Sequence, residues 1–253
     1  FPKSRNLEQL IFYLKYFVLI REWLKESQNE IPEYLNEIIF YLGQNYSFIW
    51  QNINQNLLFN GNHVIQNHDF DKYLSHHNYK FKNESNEYGG YVILKNKNII
   101  LSADLGSSPE KKFSNDYQSG ALSFEIFFNN CKLISNCGYF QNYKHQLNSI
   151  SKSSASHSTL ALDNHSSCNF KKDSDGIFKV DRGLKILKKS IISEKKYWNI
   201  SGSHDGYIKK YGVIHERIIE FFIEKNKFVG TDKLIKKKKF KNSNFEIRFH
   251  FEP

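Results

Sequence analysis

The sequence predicts an α+β, multidomain chain: helices up to about residue 80, then a large antiparallel β-sandwich to residue 253. Three observations carry this reading. Apolar residues recur at three and four through the first forty residues. From Gly89-Gly90 onward they gather instead in short β-branched and aromatic runs separated by Asn, Gly, Ser and Lys. About eleven such runs follow one another with no helical stretch between them. Strands joined without crossover helices pair antiparallel. At 253 residues the chain can bury one large core or two modest ones, and the change of pattern favours two, 1–80 and 81–253.

From Arg5 to about Lys25, Leu7, Leu10, Ile11, Leu14, Phe17, Val18 and Leu24 fall at helical spacing, with Ser4 as cap and Glu8 in the first turn. Pro32 opens a second helix through Tyr34, Leu35, Ile38, Ile39, Tyr41 and Leu42. The two form an antiparallel hairpin whose apolar faces are too broad for two helices to cover, so further helices are expected upstream. Residues 47–63 read as an Asn-rich loop with a short turn-ended apolar element at 57–61, and 69–74 as one more helical turn or short helix. Strands are expected at 91–94, 98–104, 123–128, 132–136, 158–162, 177–182, 186–193, 195–203, 213–223, 228–234 and 245–251. Repeats of fixed period are absent.

Hydrophobic residues at 40% and aromatics at 16% exclude disorder for the chain as a whole. The formal charge of +10 admits a polyanionic partner such as an acidic polysaccharide; drift of codons into lysine in an AT-rich genome would give the same excess. Much of it sits at hairpin-like positions, Lys188-Lys189, Lys195-Lys196 and 236–239. The last run lacks interleaved aromatics, which argues against nucleic acid. Cys131, Cys137 and Cys168 fit no zinc module and leave room for one disulfide; buried free thiols are the expectation. The apolar run at 10–20 is interrupted by Lys15 and too short to span a bilayer. A chain that opens on Phe1, contains no Met and ends at Pro253 is expected to be a piece of something longer; no secretory signal is visible, and a piece without its N-terminus could show none.

The polar residues that could carry chemistry cluster in the β region. His157, His204, His215 and His250 each lie in or beside a strand, with Asp163, Asp205 and Tyr207 near in sequence. Ser156-His157-Ser158-Thr159 and Ser203-His204-Asp205-Gly206-Tyr207 are dense in donors and acceptors. A polar hairpin turn explains the second equally, because Asp-Gly is itself a turn signal.

An ordered series of short motifs adds a resemblance. Asp104-Leu-Gly, Gln118-Ser-Gly-Ala-Leu-Ser-Phe-Glu, Asn136-Cys-Gly, Ala155-Ser-His-Ser-Thr-Leu, Ser203-His-Asp-Gly-Tyr, Gly230-Thr-Asp-Lys-Leu and Arg248-Phe-His-Phe-Glu-Pro resemble, in order and spacing, the C-terminal domain of heparinase II/III-like proteins. Ser4-Arg5-Asn6 and Leu58-Phe-Asn-Gly resemble the opening and exit of helices that end that family's α/α toroid. The resemblance implies a polysaccharide lyase that cleaves a uronic-acid-containing glycan by β-elimination, located in the cell envelope or periplasm. Such a reaction must neutralise the uronate carboxylate, remove the C5 proton and protonate the leaving oxygen at C4.

Gln118 cannot exchange a proton near neutral pH, which leaves His157 or a tyrosine, Tyr117 or Tyr207, as acid/base candidates for the reaction the resemblance implies, with Arg5, Gln118, Asn136 and His204 as candidates for substrate binding. The family's zinc-containing members carry histidine, aspartate and histidine where this chain has Gln118, Asn136 and His157. Neutral amides are poor zinc ligands, so neither a tight metal site nor a cofactor is expected. The changed polar set also admits a second reading, a non-catalytic acidic-glycan-binding or envelope protein.

Overall fold

Helix α1 (Leu7–Glu26) is capped by Asn6 rather than Ser4: the Asn6 side chain accepts the N–H groups of Glu8 and Gln9 at 2.7 and 3.1 Å. Ser4 is drawn aside, its hydroxyl donating to Gln9 Oε1 at 2.6 Å while accepting the Asn6 N–H. Between them Arg5 takes a left-handed backbone, φ 59°, which turns its side chain away from the helix. The buried stripe of α1 meets Leu35 and Ile39 of α2 (Glu33–Tyr46) in one apolar cluster. Where a loop is expected after Tyr46, a wider π turn (Ser47–Gln51) continues the helix and buries Phe48, Ile49 and Trp50. Helix α3 spans His68–His76.

The computed structural model describes residues 1–51, 53, 56–62, 68–238 and 243–252. Parts of the expected loop at 47–63, Lys239 of the basic run and Pro253 lie outside them.

Strands β1 (Glu87–Tyr88), β2 (Tyr91–Lys95), β3 (Ile99–Asp104), β4 (Phe124–Phe128) and β5 (Cys131–Ser135) form consecutive antiparallel pairs. Helix α4 (Gln146–Ser151) and β6 (Leu160–Leu162) follow, then the hairpin β7 (Asn169–Lys172) and β8 (Phe178–Arg182). The strands β9 (Ile186–Ser193), β10 (Tyr197–His204), β11 (Val213–Phe222) and β12 (Lys227–Lys236) make a second antiparallel sheet, with the short helix α5 (Ile208–Tyr211) between β10 and β11. The chain closes with β13 (Phe245–Ile247) against β6 and β14 (His250–Phe251) against β5. The first sheet therefore has the order β1-β2-β3-β4-β5-β14.

Alternation in β2 places the first sheet between two apolar layers. Tyr91 and Ile93 join the cluster of the helices, whereas Val92 and Leu94 pack with Trp198, Ile200, Ile219 and Phe221 of the second sheet. A strand buried on both faces has no polar side to show, which is why 91–94 and 99–101 read as continuous apolar runs.

Three departures from the sequence reading have local causes. The strand expected over 158–162 starts only at Leu160, because the Ser158 N–H is taken by Asn136 Oδ1 and the Ser158 carbonyl by Arg217. The single strand expected at 245–251 divides into β13 and β14, which serve different partners. Of the three free cysteines, Cys168 is buried as expected, but Cys131, at the start of β5, and Cys137, two residues past its end, are exposed.

Phe221 is fully buried between the sheets, stacked on Phe228 at 4.2 Å between ring centroids. Phe221→Ala is expected to lower unfolding stability by about 3–5 kcal/mol, with the urea midpoint falling and the slope unchanged.

Candidate functional site

Arg5 is where the helical segment meets the first sheet. Its guanidinium donates to Asp104 (Nη2 to Oδ1, 2.6 Å), and Nε donates to the Gly89 carbonyl at 3.1 Å. Burial works against the charge, but Asp104 outweighs it and raises the guanidinium pKa. Asn60, in the turn that follows 57–59, donates to both Asp104 Oδ2 and the Tyr91 hydroxyl, and Tyr91 donates to the Arg5 carbonyl at 2.6 Å. The sequence reading gives Arg5 to substrate; the structure gives all three of its side-chain nitrogens protein partners in a buried position.

The same turn reaches Gln118. The Gln118 N–H donates to Asn60 Oδ1, and its Oε1 accepts the Gly61 N–H at 3.1 Å. Its Nε2 donates to the carbonyls of Gly138 and Ser151, at 2.8 and 2.7 Å. One amide thus fastens both ends of the segment 138–151, which closes with α4; the tie needs two donors on a single nitrogen.

Asn136 is equally committed. Its Oδ1 accepts the Ser158 N–H at 2.9 Å, and its Nδ2 donates to Glu125 Oε1 at 3.0 Å. Glu125 is fully buried and ion-paired with Lys132 at 3.2 Å; burial raises its carboxyl pKa against the pull of Lys132. These amides do not fit a zinc ion: their oxygens already accept protein N–H groups, and neither supplies the charge that an imidazole or carboxylate set brings.

His157 has no such side-chain ties. It is 1% exposed, yet neither ring nitrogen has a hydrogen-bond partner among the described residues. Gly120 lies flat against the ring, close enough that a Cβ there would stand 2.9 Å from His157 Cγ. Burial first, and then nearby His250, push its pKa down to about 3; the Ser151 carbonyl opposes the shift without completing a bond. At neutral pH the imidazole is uncharged and keeps both a proton and a lone pair.

Tyr207 and His204 lie apart from this group, by the second sheet. The Tyr207 hydroxyl donates to the Leu160 carbonyl at 2.9 Å, its ring is 1% exposed, and burial raises its pKa, so it braces β6 and does not meet His157. His204 Nδ1 accepts the Gly206 N–H, which leaves the proton on Nε2 to donate to His215 Nδ1 at 3.2 Å. His215 Nε2 then donates to Asp232 at 2.6 Å. Burial lowers the pKa of both imidazoles, consistent with this neutral chain. Tyr117 is also buried, and burial raises its hydroxyl pKa well above the ordinary value.

The sequence reading gives roles to Gln118, Asn136 and His157 but none to Asn60 and Glu125, which bond Gln118 and Asn136, or to Arg217, which bonds the Leu122 and Ser158 carbonyls. Their motifs carry no signal for this role, since each acts through partners 11 to 95 residues away.

Comparisons with known proteins place this arrangement in a family. The family described as heparinase II/III-like, C-terminal, matches residues 82–253. The chain belongs to the heparinase II/III-like family. Among solved structures it is similar to heparan sulfate lyase HepC from Pedobacter heparinus, at 14% identity and TM-score 0.70, over 98% of this chain and 40% of that one. A heparinase III structure matches at 16% identity and TM-score 0.68, over 92% of this chain and 40% of that one. The heparinase III BT4657 gene product with methylated lysines matches at 14% identity and TM-score 0.65, over 91% and 37%. At these identities the likeness is one of fold, and the chain spans about 40% of the length of HepC and heparinase III. A comparison with curated proteins returns no match.

Two predictions follow from burial. Arg5→Ala leaves Asp104 buried without its cation and is expected to cost about 3–5 kcal/mol in urea unfolding. His157 sits at about 3 when folded, below the ordinary imidazole value, so the unfolded chain takes up the proton first. Its share of stability is complete above about pH 6.5 and is lost as pH falls toward 3. The His157→Asn variant should therefore gain a few kcal/mol relative to the parent between pH 7 and pH 4. A pH-independent difference between the two would show that the ring is not held neutral.

Proposed function

We propose that this chain is part of a lyase-like protein acting on an acidic, uronic-acid-containing polysaccharide by β-elimination, with His157 as its proton-transfer group. In this reading residues 1–80 are the closing helices of an α/α toroid and 81–253 the β-sandwich domain, and the protein works in the cell envelope or periplasm. Family membership supports the reaction class. The observation that carries the residue is the His157 imidazole, buried with both nitrogens unpartnered among the described residues.

An orphaned buried polar group costs about 1–3 kcal/mol and calls for a reason, of which a role in catalysis is one. A neutral imidazole can accept the C5 proton and return one to the C4 oxygen, help worth roughly 100 to 10,000-fold in rate. Access for a sugar ring requires the cover over His157 to open. The segment 138–151, which closes with α4, ends beside the ring, held there by Gln118.

A second reading rests on a separate observation. Arg5, Gln118 and Asn136 have their side-chain groups engaged within the protein and the Tyr207 hydroxyl is tied to Leu160, so carboxylate neutralisation has no assigned residue and the buried Tyr117 hydroxyl, its pKa raised by burial, is what remains as a second proton donor. A protein that binds an acidic glycan without cleaving it needs neither.

Incubating the full-length protein with a panel of acidic polysaccharides and following unsaturated-uronate absorbance separates the two readings. The expected result is product formation that falls at least 100-fold in His157→Ala while the folded state is retained. Glycan binding with no product from any substrate would support the binding reading.

A further inference from the structure

Arg217, on β11, is nearly fully buried and is a residue for which the proposed reaction has no use. Its Nε donates to Asp232 Oδ1 at 2.8 Å and its Nη2 to Asp232 Oδ2 at 2.9 Å, a two-pronged grip that fixes the plane of the guanidinium. Asp232 is held in turn by His215 at the end of the histidine chain from His204. The remaining nitrogen, Nη1, points out of the second sheet and donates to two carbonyls, Ser158 at 2.7 Å and Leu122 at 3.1 Å.

Those two carbonyls belong to the segments that enclose the His157 ring. Ser158 is the next residue, and its N–H is fixed by Asn136, so the Ser158 residue is held from the first sheet through its nitrogen and from the second through its oxygen. Leu122, with a left-handed backbone at φ 61°, lies within the turn from Gly120, the residue lying against the imidazole, to Ser123. A single guanidinium therefore spans the wall and the stem of the His157 site.

We propose that Arg217, anchored by Asp232, is a positioning residue that sets the geometry of the His157 imidazole by holding the Ser158 and Leu122 carbonyls. Its relevance to turnover rests on the reading of His157 as the proton-transfer group; the positioning itself does not. An ammonium cannot reproduce it, because lysine lacks the planar fork that meets Asp232 with two nitrogens and leaves a third for the carbonyls.

The test uses the full-length protein labelled with ¹⁵N-histidine, the His157 signals being assigned by their loss in His157→Asn. Arg217→Lys and Asp232→Asn are compared with the parent at neutral pH. Ring nitrogen shifts and the rate of His157 modification by diethylpyrocarbonate are the readouts, and far-UV circular dichroism monitors folding. The expected result is moved His157 signals and a modification rate raised at least tenfold in a folded variant, with exposed His165 unchanged. An unmoved His157 in either folded variant overturns the proposal, and so does failure of both variants to fold, which would assign Arg217 to stability alone. If the parent also forms unsaturated product, Arg217→Lys should lower kcat at least tenfold with little change in KM. If the parent forms none, the ring readout still decides the positioning claim, so the two failures are distinguishable.

Discussion

The buried pair of Arg5 and Asp104 is the constraint on which the remainder of the structure depends. Two charges removed from water are stable together only where the geometry is good and the remaining lone pairs are satisfied. Here Asp104 receives Arg5 and Asn60 from the helical side and the Gly106 N–H from its own loop. The fit extends to the backbone: a Cβ at Gly106 would collide with the Arg5 guanidinium, so glycine is required for the approach. Because Arg5 precedes the Asn6 cap of α1 and Asp104 ends β3, this pair fixes the start of the first helix against the end of a central strand.

The network then passes, through Asn60 and Gly61, to Gln118, and through Gln118 to the segment beside His157. An amide suits such a junction because it donates and accepts at once, whereas a carboxylate only accepts and a neutral imidazole has one donor. Gln118 and Asn136 hold their surroundings together in the protein's own bonds. What they give in rigidity they withhold from a metal or a sugar.

Much of the architecture was legible in the sequence because it follows from period. The 3.6-residue spacing of Leu7, Leu10, Leu14 and Val18 gives α1 its buried stripe, and the apolar runs of β2, β3 and β11 locate the strands that fill both cores. Strands β1 and β7 escaped it: Glu-Tyr is too short to carry a pattern, and Asn-Phe-Lys-Lys has one apolar residue in four. The cap moved from Ser4 to Asn6 because Arg5 is turned by a partner some hundred residues away. Residue types at the candidate site were equally visible, but their roles were not. A sequence shows that Tyr207 has a hydroxyl; only the packing of β6 shows that Leu160 receives it.

Charge follows the same division between what is present and what is available. The excess of lysine reads as a surface for polyanions, yet Lys189 is paired with Glu87, Lys196 with Glu224, and Lys132 with Glu125 in the interior. Surface pairs of this kind are worth little in stability, but they reduce the positive field that a polyanion would meet. Around His157 the neighbouring polar groups are similarly engaged: Gln118 with backbone, Asn136 with Glu125 and Ser158, Ser158 with Ser135. Among the described residues the imidazole is the buried group with two unpaired polar atoms; Ser123 Oγ, near Gly120, also lacks a partner, and each such group costs stability. The cost is easiest to explain if the imidazole is used, and its neutral form at physiological pH is the one that can both take and give a proton.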